Sequence, residues 1–504
     1  MSDALIERIL RARVYDVARE TPLEAAPKLS ARFGERVLLK REDLQPIFSF
    51  KVRGAYNKIS QLSPEIGRRG LVACSAGNHA QGVALAAERL GFPATIVMPR
   101  TTPSIKVRAV DALGATVELF GDTVADAAER ADAIVAEQGG TLVHPFDDLD
   151  VIAGQGTIGM EILRQHPDPI DAIFVPVGGG GLLAGILAYT KFLRPETRIF
   201  GVEAEDGASM TAALAAGRPV PLDRVGLFVD GAAVRQVGEA PFRIVHERVD
   251  GMVQVGVDDV CAAIQDLFEE TRVLAEPAGA LAVAGMKRWL EEQGGGQGRC
   301  LVAIQSGANI GFHRLRHISE RSELGEHREA ILAVTIPEQP GSFRSLCRAL
   351  RDANVTEFNY RHAQSPEAHV FVGVALGGGI ERAGLIRELE GAGYDVADLT
   401  ENEMALLHTR FMVGGRVPQL ADERLLRFEF PERPGALARF LDLMNPRWNL
   451  SLFHYRNHGS AVGRVLAGIQ VPASEDEGFR RYLDELGYPW SEETDNPAYR
   501  LFLR

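Results

Sequence analysis

The feature that most limits how this chain can fold is a repeat in its last third. Pro340-Gly341 recurs as Pro434-Gly435, 94 positions on, and Phe343, Leu346, Cys347 and Leu350 map by the same spacing onto Leu437, Phe440, Leu441 and Met444. These apolar positions are spaced as one face of a helix requires. Asn354, Phe358, Tyr360 and Arg361 then map 95 positions on, onto Asn449, Phe453, Tyr455 and Arg456, and Gly373 maps onto Gly468, so one loop residue has been inserted. Each copy reads strand, helix, strand, strand, helix and, weaker in pattern, a final strand: the split βαβ order of an α+β ferredoxin-like module. In both copies Pro-Gly separates the first strand from the helix. Proline ends the strand ladder, and glycine accepts a strained turn and leaves backbone N–H groups open to a small polar ligand. A plain tight turn would have the same sequence.

Ahead of the repeat the rhythm differs. From Gly70 to Val143 short apolar runs (LVACS, ATIVMP, TVELF) alternate with longer amphipathic ones, and a second set begins with AIFVPV at Ala172 and returns as RIFGVEAE. That alternation predicts βαβ units, hence parallel sheets flanked by helices and an α/β class for the first part of the chain. The last such strand is CLVAIQ, before SGAN at 306–309; the polar run SERSELGEHREA at 319–330 then reads as a boundary.

Composition narrows the function classes. The 504 residues are 46% hydrophobic and 24% charged, with a formal net charge of −13, which repels nucleic-acid phosphates and anionic lipid. The four cysteines, Cys74, Cys261, Cys300 and Cys347, form no CxxC pair, so neither a disulfide framework nor a zinc module is expected. His313 and His317 are four apart with no third ligand following, and no metal is expected. The first residues lack the apolar core of a signal peptide and no apolar run reaches membrane-spanning length, so a cytoplasmic location is expected.

Four segments carry residue types suited to chemistry. Lys51 stands between Phe50 and Val52; partial burial would lower its pKa and yield the neutral amine that attacks a carbonyl, although an exposed lysine on an amphipathic helix would read the same way. Ser75-Ala76-Gly77-Asn78-His79 follows the strand LVAC and precedes a helix. Its N–H groups can seat a carboxylate or phosphate, or Ser75 or Asn78 can simply cap the helix; His79 reads as structural. Gly178-Gly179-Gly180-Gly181-Leu182 follows AIFVPV and opens the next helix, where amides can cradle a phosphate. Gly179, Gly181 and Ala184, with Glu203 about 20 residues on, also satisfy a dinucleotide-binding pattern, which keeps a nicotinamide-dependent oxidoreductase as the competing reading. Ser306, at the end of its strand, can bond a ring nitrogen or merely turn the chain. The run LAEPAGALAVAG reads as a helix start, with Pro277 just inside and Glu276 its only polar side chain.

Taken in order, FSFK at 48–51, SAGNHAQG at 75–82, GGGGL at 178–182, EPAGA at 276–280 and SGAN at 306–309 resemble the fold-type-II, tryptophan synthase β-like pyridoxal phosphate enzymes. Residues 10–320 are similar to their threonine/serine dehydratase branch, and the repeated modules resemble the ACT-like regulatory domains of biosynthetic threonine dehydratase. The resemblance implies pyridoxal 5'-phosphate held by Lys51 as a Schiff base, by Asn78 at its phenolic oxygen, by Gly178, Gly179, Gly180, Gly181 and Leu182 at its phosphate and by Ser306 at its ring nitrogen. Ser75, Ala76, Gly77 and Asn78 would take the substrate carboxylate. It further implies conversion of L-threonine to 2-oxobutanoate and ammonia by loss of water, at the head of isoleucine biosynthesis, with isoleucine inhibiting and valine opposing it. Pro340, Gly341, Asn354, Tyr360, Pro434, Gly435 and Tyr455 are the nominated effector residues, and a homotetramer the implied assembly. A serine dehydratase or racemase of the same fold is the competing reading within the family. The expected organisation is a catalytic domain over 1–320, with a small subdomain at about 42–145, a linker over 321–330, and ACT-like domains over 331–410 and 424–504.

Overall fold

The structure is a computed structural model that describes residues 3–325, 329–337, 345–346, 349–350, 355–359, 366–376, 381–411, 421–431, 436–445, 448–456 and 462–503. The chain divides into two compact units, Met1–Ser322 and Glu323–Arg504.

The first unit holds two sheets. The larger has six strands in the spatial order Leu23–Ala25, Arg36–Arg41, Cys300–Gln305, Ala172–Pro176, Arg198–Ala204 and Gly251–Val255. Only the outermost pair is antiparallel. The other neighbours are parallel, with Cys300 opposite Arg36, Leu301 opposite Ala172 and Ala172 opposite Arg198. Side chains alternate across a strand, so each strand feeds two cores: Leu301, Ala303 and Phe174 enter one, Val302, Ile304 and Ile173 the other. Covering both faces with helices is what makes these strands continuous apolar runs.

The smaller sheet is parallel throughout, in the order Thr116–Leu119, Ala94–Met98, Leu71–Cys74 and Thr141–Leu142. Helix Lys51–Ser60 packs against both Asn78–Leu90 and Leu149–Gln165. The second crossing is close enough that a Cβ on Gly154 would stand 2.7 Å from the Arg53 carbonyl oxygen, which only glycine avoids.

The second unit contains two four-stranded antiparallel sheets, ordered Val355–Asn359, Glu367–Ala375, Glu329–Pro337, Asp395–Asp398 and Asn449–Arg456, Val462–Gln470, Glu423–Pro431, Trp490–Glu492. The register repeats with the sequence. Ile331 pairs Gly373 as Leu425 pairs Gly468, and Leu332 pairs Asp398 as Leu426 pairs Glu492. Even the irregularity is copied, since the ladder shifts between Val355 and Glu357 and again between Leu450 and Leu452.

The division between the two units falls within the run expected as a linker over 321–330, of which only 321–325 and 329–330 are described. Helix Leu315–Gly325 continues through its first half, and strand Glu329–Pro337 has begun by its end. The polar composition that suggested a linker belongs to a helix that buries Ile318 and Ser322. Of the nominated effector residues, Pro340, Gly341, Asn354, Tyr360, Pro434 and Gly435 lie outside the described residues. So does the side chain of Tyr455, whose backbone pairs with Val465.

Candidate active site

In each sheet the parallel strands deliver their C-terminal ends to one edge, and three of the motifs follow such ends: Ser75 follows Cys74 in the smaller sheet, while Gly178 follows shortly after Pro176 and Ser306 follows Gln305 in the larger. Lys51 is brought to them by the helix it opens. Its Nζ donates to the Pro145 carbonyl at 3.2 Å and stands 5.3 Å from the centroid of the Phe50 ring. Loss of hydration lowers its pKa to about 8, against the upward pull of the Glu276 carboxylate. The amine therefore deprotonates close to neutrality, as a nucleophile for a carbonyl must.

Direct contacts bind the five motifs into one cleft. Ser49 bridges to Gly307, the Phe50 N–H donates to the Ser306 carbonyl at 3.2 Å, and the Ala308 N–H donates to that of Phe48 at 2.9 Å. Phe48 itself has a left-handed backbone, φ 55°, unusual for a bulky residue. The Asn78 amide donates to Glu276 Oε1 at 2.6 Å, and the Glu276 N–H donates to the Gly307 carbonyl at 3.2 Å. Pro145 and Phe146 connect Lys51 to the glycine loop: a Cβ on Gly179 would overlap the Phe146 ring, and one on Gly181 would stand 3.1 Å from the Phe146 carbonyl oxygen.

Two helix N-termini open into this cleft without side-chain caps. Helix Asn78–Leu90 follows Gly77, where a Cβ would meet nothing within 4 Å, and Ser75 Oγ accepts from the Gly77 N–H at 3.2 Å instead of capping the first turn. Helix Gly181–Leu193 follows Gly180, held at φ 92°. Neither helix has an acidic residue in its first turn, so each presents N–H groups and the positive end of its dipole to an anion. Gly179 and Gly181 also serve packing, because Phe146 occupies the space their side chains would need.

Ser306 is buried, and its hydroxyl donates to the Ala278 carbonyl at 3.2 Å, a long bond that rotation about Cβ–Oγ can exchange for one donated to a nitrogen acceptor. His79 is buried beside Asn78. Its Nε2 lies 2.7 Å from the Val143 carbonyl and must donate to it, and desolvation together with the Lys51 charge lowers its pKa to about 3, so the ring is neutral. Glu203, which the dinucleotide reading would place on a ribose, is fully buried elsewhere. Its carboxylate accepts from the backbone N–H groups of Met210 and Thr211 at 2.7 and 3.0 Å and from the Thr211 hydroxyl at 2.8 Å. It stabilises the start of helix Ser209–Ala216 and has no oxygen to spare, which removes the oxidoreductase reading.

Sequence reasoning passed over three contributors. Glu276 reads as a helix start, and it is the N-cap residue of Pro277–Gln293, yet its side chain makes no cap and turns to Asn78. Its being the one polar side chain in an apolar run was the available signal. Asn309 donates to Asn78, and nothing local marks Phe146 as the wall of the glycine loop. The donor set as a whole, an amine of lowered pKa, two uncapped helix starts and a neutral buried hydroxyl, suits an aldehyde that carries a phosphate together with a carboxylate-bearing substrate.

The comparisons with known proteins agree with that chemistry. Residues 14–307 match the family described as pyridoxal-phosphate dependent enzyme, and residues 320–409 and 414–503 each match the C-terminal regulatory domain of threonine dehydratase. The biosynthetic L-threonine dehydratase IlvA of Burkholderia multivorans is 55% identical over 501 residues, covering 99% of each chain. The protein of the same name in Escherichia coli K12 is 50% identical over 499 residues, 99% of this chain and 96% of that one. Among solved structures, the processed form of threonine deaminase isoform 2 from Solanum lycopersicum is 49% identical with a TM-score of 0.63, over 64% of this chain and 90% of that chain.

Proposed function

Since this chain belongs to the pyridoxal-phosphate-dependent enzymes, in their biosynthetic threonine dehydratase branch, we infer that the Lys51 cleft deaminates L-threonine to 2-oxobutanoate and ammonia by loss of water, the first step of isoleucine biosynthesis. When bound, pyridoxal 5'-phosphate supplies an aldehyde that condenses with amines and a conjugated ring that accepts the electrons of a broken Cα–H bond. The residues to hold it are Lys51 at the aldehyde, Asn78 at the phenolic oxygen, the N–H groups of Gly178 to Gly181 with Leu182 at the phosphate, and Ser306 at the ring nitrogen.

The geometry supports the following part for the protein's own residues. The start of helix Asn78–Leu90, with Ser75, Ala76, Gly77 and Asn78, takes the substrate carboxylate on its unpaired N–H groups. Lys51 Nζ removes the Cα proton, a task that suits an amine whose pKa is about 8. A neutral serine, not a carboxylate, faces the ring nitrogen. It does not favour a protonated ring, so charge left at Cα is discharged promptly by expelling the β-hydroxyl. The observation that carries this reading is the Lys51 amine, lowered in pKa and bonded only to Pro145 among the contacts described, in a cleft with two uncapped helix starts. Lys51→Ala should abolish 2-oxobutanoate release and the borohydride-reducible visible band of the holoenzyme; a band surviving on another lysine would falsify it.

The match of the repeated modules to a regulatory domain supports feedback control through the second unit, with isoleucine inhibiting and valine opposing it through different affinities for two states. We assign the catalytic domain to 1–320 and the modules to 331–410 and 424–504, within a cytoplasmic homotetramer; no described helix is long and apolar enough to cross a membrane. Serine differs from threonine by one methyl group, worth ~1–3 kcal/mol of discrimination, so activity on both is expected.

A further inference from the structure

Asn78 is asked to donate to one oxygen of the cofactor, yet an asparagine amide has a donor end and an acceptor end that exchange by a half-turn of the side chain. The surroundings of this amide decide which end faces where. Asn309 Nδ2 donates to the Ile47 carbonyl at 2.7 Å and to Asn78 Oδ1 at 2.7 Å. Asn78 Nδ2 in turn donates to Glu276 Oε1 at 2.6 Å. A backbone carbonyl can only accept, so Asn309 must keep its nitrogen toward Ile47, and that same nitrogen then claims the oxygen of Asn78. At the other end a carboxylate oxygen claims one N–H of Asn78. Turning Asn78 over would set nitrogen against nitrogen at one end and oxygen against oxygen at the other.

We propose that Glu276 and Asn309 are positioning residues that hold the Asn78 amide in one orientation, with one N–H left over to donate to the phenolic oxygen of the cofactor. The proposal rests on the assignment of Asn78 above and adds the two residues that make it a donor. Glu276 is itself held in place. It is buried against Gly307, where a side chain would collide with its carboxylate, and its backbone N–H is tied to the Gly307 carbonyl at 3.2 Å. Burial first, then the nearby Asp230, raises its pKa to about 7, while the Asn78 amide, Lys106 and Arg314 lower it. Protonated or not, the carboxyl keeps an oxygen that accepts from Asn78, so the orientation survives titration.

The test is the dissociation constant of pyridoxal 5'-phosphate from the full-length protein, with the absorption maximum of the bound cofactor and the kcat and KM for threonine. Asn309→Asp changes one atom and removes both donors. It should weaken cofactor binding about tenfold or more, as the loss of a hydrogen bond to a charged group does, and should shift the visible band as Asn78→Ala does. The kcat should fall more than KM rises. Asn309→Ala, which adds no charge, should do the same and covers the case in which the aspartate impairs folding. Glu276→Gln keeps an acceptor and should recover most of the affinity that Glu276→Ala loses. An Asn309→Asp protein with the wild-type dissociation constant and band, beside an Asn78→Ala protein that loses both, would overturn the relay and leave the role of Asn78 standing. An unchanged Asn78→Ala protein would overturn both.

Discussion

In the catalytic unit a cluster of charges is fully buried, whereas the seam between the two regulatory modules is chiefly apolar. Arg53, two residues beyond Lys51 on the same helix, is fully buried and grips Glu42 through Nε and Nη2 at 2.8 Å and Glu161 through Nη1 at 2.6 Å. Lys40 Nζ adds bonds to Glu161 and to the Thr21 carbonyl, each at 2.6 Å, and Tyr15 donates to Glu161 at 2.8 Å. Burial lowers the Lys40 pKa, and the two glutamates oppose that. Two cations and two anions thus cancel around the start of the helix that carries the reactive amine. The seam in the second unit is built instead from Ile331, Ala333 and Phe371 of one module, Leu425 and Leu466 of the other, and Ala498 and Tyr499. Residues 331 and 425, or 371 and 466, are equivalents in the repeat. Asn402 and Asn496, 94 positions apart, each cap a helix and meet at 3.3 Å across the seam. Equivalent residues touching one another is the signature of a pseudo-two-fold axis. The contrast is instructive: a buried charge cluster tolerates little displacement and suits a helix that must hold one amine still, whereas an apolar seam gives up little when its halves shift.

Breaking the charge cluster should have the largest effect. Glu161→Leu leaves Arg53 and Lys40 with uncompensated buried charge and should cost about 4 kcal/mol of stability of the catalytic unit in urea unfolding. A double variant with Arg53→Met should regain part of it, and equal losses in the single and double variants would contradict the mutual cancellation. Leu466→Ala, at the apolar seam, should cost about 3 kcal/mol and act on the second unit. Isoleucine inhibition should weaken while the uninhibited kcat is kept; a fall in kcat without change in inhibition would reverse the contrast.

The third effect sharpens the difference in titration. Only the neutral Lys51 amine can attach the cofactor, and its pKa is about 8. Recombination of the cofactor-free protein with pyridoxal 5'-phosphate should therefore speed up about fifty-fold from pH 6 to pH 8 and level off above. A rate flat across that interval would mean the amine is not the titrating group. The smallest effect is expected from Asn402→Ala, which removes a helix cap and the bond to Asn496 and should cost about 1 kcal/mol in the second unit.

Much of the site was legible because strand ends are local features. An apolar run followed by small residues and an amphipathic helix predicts a strand, a turn and a helix start, and a parallel sheet gathers such turns at one edge. Ser75, Gly178 and Ser306 were found that way, and Lys51 by its apolar flanks. The repeat was legible down to its single insertion, since the strand registers follow the same offsets. Glu276 was missed because its partner Asn78 is 198 residues away, and in its own segment it resembles any N-cap. Nothing in the charged run KREDL at 40–44 marks it as interior, yet Lys40, Arg41, Glu42 and Asp43 are all buried. Glu203 matched a dinucleotide pattern by spacing alone, while its two oxygens were committed to the next helix.

The amino-acid order by itself determined the periodic elements, the parallel and repeated halves and the places where small residues open helix starts, because these depend on neighbours within about one helical turn or one strand. Tertiary structure alone decided the state of the charged groups. Whether a glutamate is solvated, paired with Arg53 or turned to Asn78 depends on which distant atoms replace its water. That replacement sets the pKa of Lys51, the orientation of Asn78 and the stillness of the helix between them.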